Sequence, residues 1–121
     1  MPQLEGTKEQ MVEFLKLDLT GPIQMLNLLR FKEDGGRETY AKYSANTLPL
    51  LKERGGKSVY RSVARKTVIG EEAWDEVFII EYPSKDAFFD MITSDEYQKG
   101  VHLRMEALED SRLVCLQANE G

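Results

Sequence analysis

Residues 22–31 read PIQMLNLLRF, a run with the apolar density of a central β-strand, interrupted by Asn27 in its middle and Arg30 near its end. Strand alternation puts Ile23, Met25, Leu29 and Phe31 on one face with Asn27, and Leu26 and Leu28 on the other, so both faces are greasy. A buried polar group costs free energy unless something hydrogen-bonds it, so Asn27 and Arg30 must each reach an edge, a partner or a ligand. Residues 74–82, WDEVFIIEY, repeat the two-sided pattern, with Phe78 and Ile80 opposed by Val77 and Ile79.

The flanking segments arrange these strands. TKEQMVEFLKLDL predicts a short N-terminal helix, with Thr7 and Gln10 spaced as a capping box, and TGP at 20–22 stops it. Residues 37–54 predict a second helix with Tyr40, Tyr43, Thr47 and Leu51 on or near one face and a kink expected at Pro49. KSVYRSVARKTVI alternates as a strand, GEEA turns it into the run at 74–82, and 83–108 predicts a helix in two pieces capped by Ser84 and Ser94. EDSRLVCLQ closes the chain as a strand.

The order is β-α-β-β-α-β after an extra helix, which predicts an α+β, ferredoxin-like antiparallel sheet of order 4-1-3-2 with both helices on one face. The division expected is a helical extension at 1–20, the domain at 21–118 and a tail at 119–121. Arg61, Arg65 and Lys66 place charge on the second strand, as an edge requires. Helices cover one apolar face, and the other needs a further layer. A two-fold homodimer through the sheet is the expectation.

At 121 residues, 41% hydrophobic and 31% charged, the chain is long enough for one core without disulfides or metal. A formal charge of -5 opposes phosphate backbones and anionic lipid, and no run is long enough to span a membrane. The start lacks a secretory pattern and Cys115 has no cysteine partner, so a cytoplasmic location is expected. One histidine and one cysteine form no ligand cluster, no glycine-rich phosphate loop follows the first strand, and no cofactor is expected. RNA-recognition domains share the strand order, but WDEVFIIEY carries three carboxylates and no glycine where they need a basic-glycine-aromatic run.

GPIQMLNLLRFKE, YAKYSANTLPLLKERGGKSVYR, IGEEAWDEVFIIEYPS, DEYQKGVHLR and ALEDSRL resemble, in order and spacing over about residues 7–116, a bacterial family of uncharacterised proteins, domain-of-unknown-function family 1330. The resemblance implies the dimeric α/β-barrel superfamily, whose members include cofactor-independent monooxygenases, lactone isomerases, haem enzymes and binding proteins. It implies no residue roles. The family's helix often sets a histidine beside its arginine, whereas here Leu103 separates His102 from Arg104.

Asn27 is suited to orient a polar group in an apolar pocket, or else is a core amide satisfied locally. Tyr97, Val101, Arg104 and Leu108 fall on one helical stripe, so Arg104 faces the sheet; it is suited to clamp a carboxylate or enolate, or to pair with Glu81 or Glu76. Tyr40, Tyr43 and Trp74 line a pocket or fill the core. His102 lies about 200° from Arg104 around the helix and points elsewhere, Cys115 reads as apolar filler, and Arg30 reaches solvent or Asp110. The expected ligand set is Asn27, Tyr43, Trp74, Tyr97 and Arg104, binding a small organic molecule between sheet and helices. An isomerase or monooxygenase working without a cofactor, and a non-catalytic binding or assembly module, both fit that set.

Overall fold

The computed structural model describes residues 3–118. Its first element is α1 (Lys8–Lys16), begun by the expected capping box: Thr7 Oγ1 accepts from Gln10 N at 3.1 Å and the Thr7 amide donates to Gln10 Oε1 at 3.0 Å. There follow β1 (Ile23–Phe31), α2 (Gly36–Glu53), β2 (Lys57–Val63), β3 (Glu76–Tyr82), α3 (Lys85–Ile92), α4 (Asp95–Ala107) and β4 (Leu108–Leu116). The order β2-β3-β1-β4, all antiparallel, is the ferredoxin-like arrangement predicted, with β1 and β3 central. Ser84 and Ser94 cap α3 and α4 through Ala87 N at 3.0 Å and Tyr97 N at 3.2 Å. α2 runs through Pro49 without ending there. The tail expected at 119–121 lies outside the described residues.

β2 is shorter than the alternating pattern predicts. Pairing continues only to the Ala64 amide, which donates to Asp75 O at 2.9 Å, and residues 65–75 leave the sheet. Arg65 and Lys66 are therefore loop residues, and Val68 and Ile69 stand 88% and 94% exposed. Their β-branched propensity has no facing strand to act on, because β3 begins at Glu76 rather than Trp74.

Register lays the side chains in rows across the sheet. On the helix side Met25 sits between Ile80 and Cys115, and Asn27 between Phe78 and Leu113. On the other side the central row is Tyr60, Ile79, Leu26 and Val114, and the next is Ser62, Val77, Leu28 and Arg112. Met25, Leu29, Phe78 and Ile80 are buried under the helices, whereas Leu26, Leu28, Val77 and Ile79 are half-buried and Tyr60 and Val114 exposed. The two-sided reading of β1 and β3 thus corresponds to one covered face and one uncovered face within the chain. Arg30 meets Asp110 at 3.9 Å, as its place near the strand end suggested.

α2 and α4 pack mainly on each other, and the room they leave above the sheet is the cavity described below. Gly100 makes that approach close: a Cβ there would stand 2.3 Å from Asn46 Nδ2. Gly36 does the same where α2 starts, since a Cβ would lie 2.7 Å from the Ala107 carbonyl and 3.0 Å from Phe31 Cβ. No described helix is long and apolar enough to cross a membrane.

Gly36→Ala should lower unfolding free energy by about 1–3 kcal/mol, because the clash involves backbone that no rotamer relieves. Urea unfolding followed by far-ultraviolet circular dichroism checks this, and an unchanged midpoint would show that the α2 start can shift freely.

Candidate functional site

A cavity of about 1030 Å³ opens between the sheet and the helices. Its floor is Met25, Asn27, Phe78 and Ile80; α2 supplies Tyr40, Tyr43 and Thr47, and α4 supplies Tyr97, Val101 and Arg104. The i, i+3, i+7 spacing of Tyr40, Tyr43 and Thr47 turns all three to one side of α2, and the i, i+4, i+7 spacing of Tyr97, Val101 and Arg104 does the same on α4. Met11 and Phe14 of α1 close one end. α1 buries no residue fully and is held from outside. Lys85 Nζ donates to the Leu15 and Leu17 carbonyls at its C-terminal end, and Phe14 packs on Phe88 and Phe89 with ring centroids 5.9 and 5.3 Å away.

On the helix side of the cavity the hydroxyls of Tyr43 and Tyr97 are 2.8 Å apart and their rings meet edge to face, while the Tyr40 ring lies tilted against Tyr43 with centroids 5.1 Å apart. Burial pushes the Tyr40 hydroxyl well above the ordinary tyrosine range, with the Arg104 charge pulling partly back. Tyr43 is raised by burial first and then by its two tyrosine neighbours, and Tyr82 by burial. These three side chains are therefore hydrogen-bond donors, not bases, at any physiological pH. Burial also raises the Cys115 thiol, which Lys85 opposes, so Cys115 on the floor is a poor nucleophile.

Asn27 Nδ2 donates to the Met25 carbonyl at 3.1 Å, and its Oδ1 has no protein partner among the described residues. Thr47 Oγ1 is buried with no hydrogen-bond partner. Arg104 does not pair with Glu81 or Glu76. Its Nη1 donates to the Leu4 carbonyl and its Nη2 to Ser111 Oγ at 3.4 Å, because the segment before α1 crosses the β4 edge there. Ser111 Oγ in turn donates to the Gln3 carbonyl. Sequence reasoning missed this strap, and only the apolar N-terminal helix hinted that the extension packs on the domain.

Of the five expected ligand residues, Asn27, Tyr43, Tyr97 and Arg104 line one cavity. Trp74 does not. Its ring lies 5.2 Å under the Arg112 guanidinium, beside the loop that replaces the end of the expected second strand. The register that would have aimed Trp74 inward assumed β3 two residues longer than it is. Tyr40 and Thr47 join the site instead. His102 is exposed, as its helical position indicated. Among the described residues no three histidine, cysteine or carboxylate side chains are grouped to hold a metal ion.

The strap also holds a carboxyl whose titration its partners shift. Burial works to raise the Asp110 pKa, but hydrogen bonds from the Gln3 amide at 2.7 Å, Arg112 at 2.7 Å and the Ser111 amide at 2.9 Å outweigh it and hold the carboxyl below its ordinary value. A lowered folded-state pKa contributes stability that is full above the ordinary carboxylate range and is lost as pH falls through the lowered value.

The family model described as "Domain of unknown function (DUF1330)" matches residues 34–118. The crystal structure of RPA0582, a protein of unknown function from Rhodopseudomonas palustris, is 38% identical with TM-score 0.92, covering 100% of each chain. A dimeric ferredoxin-like protein of unknown function from Jannaschia sp. CCS1 is 14% identical with TM-score 0.65, over 81% of this chain and 100% of that one. SnoaB, a cofactor-independent oxygenase from Streptomyces nogalater, is 14% identical with TM-score 0.60, over 84% of this chain and 97% of that one. The last two likenesses establish the fold alone. No curated protein matches the chain.

Asp110→Asn should lower stability at neutral pH and flatten the loss expected of the native protein as pH falls below the ordinary carboxylate range and through the lowered Asp110 value. Urea midpoints across that range test it, and parallel curves for the two proteins would remove Asp110 as the acid-sensitive group.

Proposed function

Starting from the domain-of-unknown-function family DUF1330, to which this chain belongs, we propose that the protein is a cytoplasmic homodimer whose subunits each bind a small organic molecule with apolar bulk between sheet and helices. The observation that carries the ligand reading is the cavity of about 1030 Å³, at the upper end of ordinary ligand pockets, with a mostly apolar wall and a few convergent polar groups. Asn27, Tyr43, Tyr97 and Arg104 are the proposed ligand residues. A core filled solidly by aromatic rings would have favoured an assembly module, and the open volume argues against it.

The homodimer reading is supported by the uncovered apolar row of Tyr60, Ile79, Leu26 and Val114, and by the Jannaschia neighbour, a dimeric protein. Burying several hundred Å² at about 25 cal/mol per Å² yields several kcal/mol before association costs.

Chemistry without a cofactor on an enolisable substrate, isomerisation or oxygenation, is the catalytic form of this reading, and SnoaB is a distant neighbour that works as a cofactor-independent oxygenase. The lining limits it. Among the described residues Glu5 is the only carboxylate there and is exposed, no histidine lines the cavity, and Tyr40, Tyr43 and Tyr82 hold their protons. With no positioned base, binding is the stronger statement and turnover the narrower one.

A thermal-shift screen of small aromatic and aliphatic compounds should find binders that raise the melting temperature with concentration, about 2.7 kcal/mol of stabilisation at a hundred times Kd. Val101→Trp fills the cavity from α4 and should weaken those binders at least about 10-fold while the variant stays folded. Binders that tolerate Val101→Trp would place the ligand elsewhere.

A further inference from the structure

The Tyr43–Tyr97 pair leaves one proton over. A hydrogen bond between two hydroxyls uses one O–H, and the accepting tyrosine keeps its own. Neither hydroxyl has another protein partner among the described residues, although both side chains are 8% exposed and line the cavity. A buried donor without an acceptor is costly, so this proton asks for an oxygen from the cavity's occupant.

The charges lining the same space have a sign. Among the described residues Arg104 donates to neutral acceptors, the Leu4 carbonyl and Ser111 Oγ, and no carboxylate there lies within ion-pair distance of it. Arg61 also lines the cavity, its guanidinium 5.4 Å from the Phe78 ring centroid, and is shared with Glu76 at 3.8 Å. Against these stands Glu5, exposed. Partly buried charge is ordinarily matched by its opposite, and among the described residues no carboxylate pairs with Arg104 although the whole chain carries net negative charge.

We propose that the Tyr43–Tyr97 hydroxyl pair is an oxyanion-binding site: it takes the negatively charged oxygen of an organic carboxylate, enolate or phenolate, with Arg104 as the counter-charge and the aromatic wall around the apolar remainder. This rests on the ligand reading above and narrows it to a chemical class. The pair suits the role because its hydroxyls sit on two facing helices, α2 and α4, whose spacing Gly100 fixes, so the donor is held in place before a ligand arrives. Thr47 Oγ1, one turn beyond Tyr43, is buried without a hydrogen-bond partner.

The test compares two probes of nearly equal size, 4-nitrophenol and 4-nitrotoluene, on the native protein and on the double variant Tyr43→Phe with Tyr97→Phe, which keeps both rings. At a pH equal to the phenol's own pKa in water, half of the free probe is the yellow phenolate. The native protein should bind it as phenolate, so that the yellow band grows as protein is added, and at least about 10-fold more tightly than 4-nitrotoluene. In the double variant the ratio of the two probes' affinities should fall about 10-fold or more, with circular dichroism showing the variant folded. Fading of the yellow band on binding, or an unchanged ratio in the double variant, overturns the oxyanion site and leaves the cavity as an apolar binding site. Failure of both probes to bind the native protein overturns the site together with the ligand reading.

Discussion

One sheet with two apolar faces and one set of helices is the constraint from which the rest follows. β1 and β3 bury Met25, Leu29, Phe78 and Ile80 under α2 and α4, and present Leu26, Leu28, Val77 and Ile79 on the other side. A strand that alternated apolar and polar residues would need only the helices. Here each face must be closed by something different, and the two closures are the two functional features proposed: a pocket under the helices and an interface below the sheet.

The pocket exists because the helices settle on one another rather than on the sheet. Gly100 admits Asn46 to the α4 surface, and the tyrosines at the top of the space lock hydroxyl to hydroxyl instead of filling it. That geometry explains how a cavity lined by aromatic rings survives in a small domain. Collapse would have to break a buried hydrogen bond and move Arg104 off the Leu4 carbonyl, releasing the strap that Asp110 and Ser111 also hold. The N-terminal extension is thus part of the cavity's wall, anchored at one end by Arg104 and at the other by Lys85 on the last carbonyls of α1.

Local chemistry was readable from the chain; distant chemistry was not. Thr7, Ser84 and Ser94 announce helix starts because a cap needs only residues three apart. The order of strands follows from element sequence and handed crossovers, and the helical stripes put Tyr43, Tyr97 and Arg104 on inward faces before any coordinates. What the stripes do not carry is partner choice. Arg104 finds a carbonyl 100 residues away, and Tyr97 finds Tyr43 at a separation of 54, distances over which no periodicity speaks. Trp74 lies outside the cavity for a local reason: residues 74–82 read as one unbroken apolar strand, but β3 begins at Glu76 and Trp74 falls in the loop before it.

The most direct measurement is the mass of the native protein in solution, by sedimentation velocity at micromolar concentration. Closure of the lower sheet face by a second copy requires twice the 13.9 kDa of the chain. A stable species at the single-chain mass, with Leu26, Ile79 and Val114 left to water, would contradict the account at its root.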